Sequence, residues 1–149
     1  MKVLMSSCLL GFLVRYDGLA KKQFDFNQDI AYHHLCPEVL GGLSIPRERC
    51  EIRNLEVVSE TGVNHQRAFE QGAKKVLEYV LALDIDVVVF KENSPSCGSQ
   101  FVYDGSFQGI KVPGMGVTTR LLRKHGIVVL NENQWEEYLR GEKKFNESI

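Results

Sequence analysis

The chain has 149 residues, 44% of them hydrophobic and 25% charged, with a formal net charge of -1. That is enough for one ordinary soluble domain with a real core, and the near-neutral balance argues against a broad electrostatic affinity for nucleic acid or anionic membrane. No window is long and apolar enough for a membrane span, and the first apolar stretch is too short for a signal sequence. A cytoplasmic protein with reduced thiols is therefore expected, in which four cysteines serve metal binding or catalysis better than disulfides.

Lys2 to Ser6 is a short apolar run that reads as a buried first strand and delivers Cys8 at its end. Arg15-Tyr16-Asp17-Gly18 is a turn signal. The stretch Phe26 to His34 predicts a short helix capped by Asp25 or Asn27. Pro37 then interrupts regular structure, and Glu38 to Arg47 reads as loop. Asn64 to Leu83 is the clearest helix, with Ala68, Phe69, Gly72, Ala73, Val76 and Val80 on one face.

Asp86 to Lys91 holds three consecutive valines without polar alternation, the pattern of a strand covered on both faces. It runs directly into Ser94-Pro95-Ser96-Cys97-Gly98. Tyr103-Asp104-Gly105 and Phe107 suggest a hairpin or lid. A helix from Val117 to Lys124 follows Gly114-Met115-Gly116, with Gly126 ending it. Ile127 to Leu130 predicts a strand, and Asn133 to Arg140 a last helix that packs Trp135 and Tyr138. The polar residues 142–149 form a C-terminal tail after a domain spanning 1–141.

Strands alternating with helices imply an α/β, single-domain, three-layer, Rossmann-like fold, its mostly parallel sheet flanked by helices. Ligands in such sheets bind beyond the carboxyl ends of the strands. Cys8 and Cys97 each stand just past one of those ends, and Cys36 lies in the turn-rich Cys36-Pro37-Glu38. Three thiolates suit zinc or an iron–sulfur cluster and leave a coordination position open for substrate. Cys50, in the charged run Arg47-Glu48-Arg49-Cys50-Glu51, is as well explained as a small buried hydrophobe. Arg15 and Arg47 are candidates to grip a phosphate or a pyrimidine carbonyl, with an ordinary surface role as the alternative. His33-His34 is read as surface, and Gly114-Met115-Gly116 either as an anion site or as a place of close backbone packing.

The ordered segments Ser7-Cys8-Leu9-Leu10-Gly11, Val14-Arg15-Tyr16-Asp17-Gly18, Cys36-Pro37-Glu38-Val39-Leu40-Gly41-Gly42-Leu43 with Pro46-Arg47, Lys91 with Ser94-Pro95-Ser96-Cys97-Gly98, Tyr103-Asp104-Gly105-Ser106-Phe107 and Gly114-Met115-Gly116-Val117 span nearly the whole chain. Together they resemble the DUF523 family, which is related to thiouracil desulfidase. The chain departs from that family in having Asn64-His65-Gln66 where an Asp-x-Thr is expected. The resemblance implies a [4Fe-4S] cluster held by Cys8, Cys36 and Cys97, with Cys50 as a rival for the middle position. It implies Glu38 and Ser94 as the catalytic pair, and a thiolated base or nucleoside as the small-molecule substrate. On that reading Glu38 activates water for attack on a ring carbon whose sulfur sits on the open iron. The bland alternatives are a solvated loop carboxylate for Glu38 and a turn residue before proline for Ser94. Two other functions compete: a cysteine- or zinc-dependent hydrolase using Cys97, and a non-catalytic cluster-binding module. The first needs a neighbouring base, and no histidine lies in the cysteine motifs.

Overall fold

The computed structural model describes residues 1–10 and 30–141. Arg15 and the tail 142–149 lie outside the described residues.

Four strands form the central sheet: β1 (Lys2–Ser6), β2 (Ala31–Leu35), β5 (Val87–Phe90) and β8 (Val129–Asn131). Their order is β2-β1-β5-β8, and every pairing is parallel. The apolar runs in β1 and β5 follow from burial on both faces. Val3, Met5, Val87 and Val89 pack with Leu130 and Trp135 on one side. Leu4, Val88 and Phe90 pack with Val76, Val80 and Leu122 on the other. The first side is covered by α4 (Glu132–Leu139), the second by α2 (Gln66–Ala82) and α3 (Val117–Lys124). This is the expected three-layer arrangement. Among the described residues, no helix is long and apolar enough to cross a membrane.

Three segments differ from the sequence-based expectation. Ala31 to His34, assigned to a helix, belongs to β2. That edge strand is only partly buried, with Ala31 and His34 exposed, so it carries little of the alternation that marks a strand. Its two histidines fall on opposite faces: His33 meets the Tyr79 hydroxyl at 2.8 Å and His34 the Ser7 hydroxyl at 3.0 Å. Pro37 does not interrupt structure but begins the one-turn α1 (Pro37–Leu40), since proline at a first helical position lacks only an N–H that would find no partner within the helix. The third difference is an antiparallel hairpin, β3 (Cys50–Arg53) and β4 (Glu56–Ser59), in a stretch to which the sequence assigned no element. The expected hairpin near Tyr103 is present as β6 (Phe101–Tyr103) and β7 (Lys111–Pro113).

Candidate active site

The chain leaves β1 toward β2 on one side and returns to β5 on the other, so the sheet switches direction between β1 and β5. The crevice beyond their carboxyl ends is where such sheets bind ligands. Here it is a cavity of about 320 Å³, and Cys8, Cys36 and Cys97 all line it. The two strand ends are stitched together at its base, where the Lys91 N–H donates to the Ser6 hydroxyl at 3.0 Å.

Each thiol is placed by a different device. Cys8 is buried in the 3-10 turn Ser7–Leu10 that follows β1. Cys36 is the N-cap of α1, and α1 lies hard against α2. Glycines permit that contact, because a Cβ on Gly72 would stand 2.0 Å from the Pro37 carbonyl oxygen and one on Gly41 2.1 Å from that of Ala68. Cys97 sits in a turn whose geometry Ser94 sets, its Oγ accepting the N–H of Ser96 at 3.1 Å and of Cys97 at 2.8 Å. The first turn of α3 docks on the same segment, with the Val117 and Thr118 N–H groups donating to the carbonyls of Pro95 and Ser96. A Cβ on Gly116 would lie 2.4 Å from the Ser96 carbonyl carbon. Close packing therefore explains Gly114-Met115-Gly116, since these helix-start donors are spent on the protein's own backbone.

The thiols share a desolvated setting. Burial holds the Cys97 thiol far above its ordinary range; the Ser96 hydroxyl 3.3 Å away opposes this, while nearby Glu38, Cys36 and Cys8 add to it. Burial likewise raises Cys36, with a backbone hydrogen bond at Val39 opposing and Glu38 reinforcing the rise. These are neutral thiols at neutral pH, and therefore weak nucleophiles unless something positive replaces the proton. Cys50 also lines the cavity, at the start of β3, but its surroundings differ. It packs with Val57 and Phe69, its thiol points to the Glu48 carbonyl at 3.6 Å, and burial followed by Glu38 pushes it up to about 11. Cys8 and Cys36 both stand near enough to Cys97 to raise its thiol.

Glu38 is not a solvated loop carboxylate. Arg47 Nε donates to its Oε1 at 3.1 Å and the Ser96 hydroxyl to its Oε2 at 2.9 Å, and the Glu38 and Arg47 side chains are 15% and 7% exposed. Arg47 Nη1 donates to the Ser44 carbonyl at 2.9 Å, so the structure turns this arginine toward protein groups at the cavity wall. Ser96, absent from the sequence-based candidates, contacts Glu38, Ser94 and the Cys97 sulfur at once. Nothing in Ser94-Pro95-Ser96 says which hydroxyl faces a residue 58 positions away. Lys91, to which the sequence reading gave no role, lines the cavity as well. Its Nζ donates to the Glu92 carbonyl at 2.7 Å and stands 3.6 Å from Glu132.

The donor set can be tested against the metal centres that the sequence suggests. One ion draws its ligands to about 2–2.3 Å; among the described residues no three His, Cys, Asp or Glu side chains are grouped closely enough for that. A cluster distributes its thiolates over separate irons, and three thiols spread around one cavity, Cys8 and Cys97 buried and Cys36 half-buried, fit it better than they fit zinc.

Comparison with known proteins agrees with this chemistry. The family model described as 2-thiouracil desulfurase matches residues 3–134. An uncharacterized protein of Bacillus subtilis (strain 168), YbbK, is 37% identical over 92% of this chain and 99% of its own length. Among solved structures, the [4Fe-4S]-dependent thiouracil desulfidase TudS superposes with a TM-score of 0.85 at 42% identity, covering 91% of this chain and 93% of that one.

Proposed function

The chain belongs to the 2-thiouracil desulfurase family, and on that premise we propose that it is a [4Fe-4S]-dependent desulfidase that removes sulfur from a thiolated pyrimidine. The observation that carries the proposal is the convergence of three thiols, buried Cys8 and Cys97 and half-buried Cys36, on one cavity beside a clamped carboxylate. These three are the proposed ligands. Cys36 is preferred to Cys50 because its proximity is felt at Cys97 while Cys50 is packed into the β3–β4 hairpin. When bound, the cluster would supply a Lewis-acidic iron with affinity for a soft thiocarbonyl sulfur.

The chain's own residues supply the rest. Glu38 accepts a proton from water at its oxygens and returns one as the carbon–sulfur bond breaks. Cys97, Ser96 and Ser6, at the cavity wall, are almost wholly buried. Arg49, Tyr103 and Lys111 complete the lining of the cavity from the two hairpins. Tyr103 and Lys111 are fixed to each other by ladder pairing, with the Lys111 ammonium 5.9 Å from the ring centre.

The test is anaerobic reconstitution followed by iron and sulfide quantification and a thiouracil turnover assay that measures hydrosulfide. About four irons per chain with turnover is expected, and loss of both in Cys8→Ala and Cys97→Ala. A wild-type protein that binds no iron under these conditions ends the proposal.

A further inference from the structure

We infer that Ser96 and Arg47 are the positioning residues of Glu38, and that Ser94 reaches Glu38 only through Ser96. The inference rests on the reading of Glu38 as the water-activating carboxylate, and it follows from counting protons. A serine hydroxyl has two lone pairs and one proton. Both lone pairs of Ser94 are occupied, by the N–H of Ser96 at 3.1 Å and of Cys97 at 2.8 Å. Its proton therefore points outward, and the Ser96 Oγ stands 2.9 Å away to receive it.

Ser96 thus accepts from Ser94 and has one proton to give. Two acceptors compete for it, the Glu38 Oε2 at 2.9 Å and the Cys97 sulfur at 3.3 Å. An ionised carboxylate only accepts and forms the stronger bond, so the proton goes to Glu38. The Cys97 sulfur is served instead by Ser6, whose hydroxyl accepts the Lys91 N–H and donates to sulfur at 3.8 Å. On the opposite oxygen of Glu38, Arg47 Nε donates at 3.1 Å while its Nη1 is anchored on Ser44. The carboxylate is pinned at both ends, with its remaining lone pairs left for water. Ser94 has no lone pair with which to take a proton from water, so it is not a base. Arg47, expected from sequence to grip substrate, holds the group that attacks.

The experiment uses anaerobically loaded protein, matched for iron content, with thiouracil as the probe. Ser96→Ala is expected to lower kcat roughly 10- to 100-fold, as displacement of a reacting group by about 1 Å does, with KM changed less than about threefold. Ser96→Thr keeps the hydroxyl and regains most of the rate. Arg47→Met behaves like Ser96→Ala, Arg47→Lys recovers part of the loss, and Ser94→Ala loses less than Ser96→Ala. A raised KM with kcat intact would overturn the inference, because Ser96 would then hold substrate. Equal losses in Ser96→Ala and Ser96→Thr would overturn it too, since packing would be the cause. A double-mutant cycle of Glu38→Gln and Ser96→Ala, read in melting temperature, needs no substrate, and additive effects there reject the clamp. Wild-type protein without thiouracil turnover would sink the proposed function, while the cycle still decides the clamp.

Discussion

Two segments bring a cysteine and a polar group to the same cavity by different physical means. The turn carrying Ser96 and Cys97 is tied by many hydrogen bonds. The Ser94 hydroxyl takes two N–H groups, the Thr119 hydroxyl donates to the Cys97 carbonyl at 2.9 Å, and the Glu92 carboxylate accepts the N–H groups of Asn93, Ser99 and Gln100. The segment carrying Cys36 and Glu38 is a single helical turn whose position depends on backbone contact with α2 at Gly41 and Gly72. A network of weak links fails gradually as links are removed. A contact that requires the absence of a Cβ fails at one substitution, and it carries Cys36 and Glu38 away together.

The largest effect is therefore expected at Gly72. A methyl group there would overlap the Pro37 carbonyl oxygen, which belongs to rigid backbone, so α1 has to move off α2. Gly72→Ala should cost about 3 kcal/mol of stability, the upper range for overpacking, against the gain in helix propensity of under about 1 kcal/mol. It should also lower iron content after reconstitution by displacing Cys36. Thermal melts and iron analysis check both, and an unchanged protein would show that the contact is soft. A smaller effect follows from cutting one link of the turn. Thr119→Val is nearly isosteric and leaves the buried Cys97 carbonyl without that donor, at a cost of about 1 kcal/mol, with iron content preserved. If Thr119→Val emptied the site as Gly72→Ala does, the turn would be no more tolerant than α1 and the contrast would dissolve.

The two segments also differ in how far the sequence reveals them. The turn follows an uninterrupted apolar strand, so the sheet-end position of Cys97 is legible from Val87, Val88 and Val89. Cys8 is legible for the same reason after β1. Cys36 follows β2, an edge strand that buries too little to show its period, and it precedes a proline that marks a helix start as readily as a break. The β3–β4 hairpin that isolates Cys50 is hidden by its own turn. Asn54 and Leu55 both take left-handed backbone angles, φ 51° and 66°, where an Asn-Gly pair would be the recognisable signal. Leu55 is instead the most exposed large hydrophobic residue among those described. Glu38 is legible as a candidate but not as a clamped one, because both its partners arrive through tertiary folding.

The smallest expected difference also separates the segments, because a carboxylate, Glu92, fastens the backbone N–H groups of the turn itself. Burial favours the neutral form of Glu92, yet hydrogen bonds from Ser99, Asn131, Gln100 and Asn93 outweigh it and hold the carboxyl below its ordinary value. A carboxylate depressed in the folded state stabilises fully above its unfolded pKa, about 4.3, and loses that contribution as pH falls through the folded value. Acid should therefore loosen residues 92–100 before it loosens α1. The check is amide exchange of iron-free chain, so that cluster loss does not enter, expressed as protection factors to remove the intrinsic pH dependence. Ser99 and Gln100, which donate to Glu92, should lose protection below about pH 4.3. Leu40 and Gly41, bonded to the Cys36 and Pro37 carbonyls, should keep theirs. In Glu92→Gln the Ser99 and Gln100 amides should already be less protected at neutral pH, and their protection should no longer fall with acid. Simultaneous loss in both segments at one pH would mean that the whole domain opens as a unit, and Glu92 would then hold no privileged place in the turn.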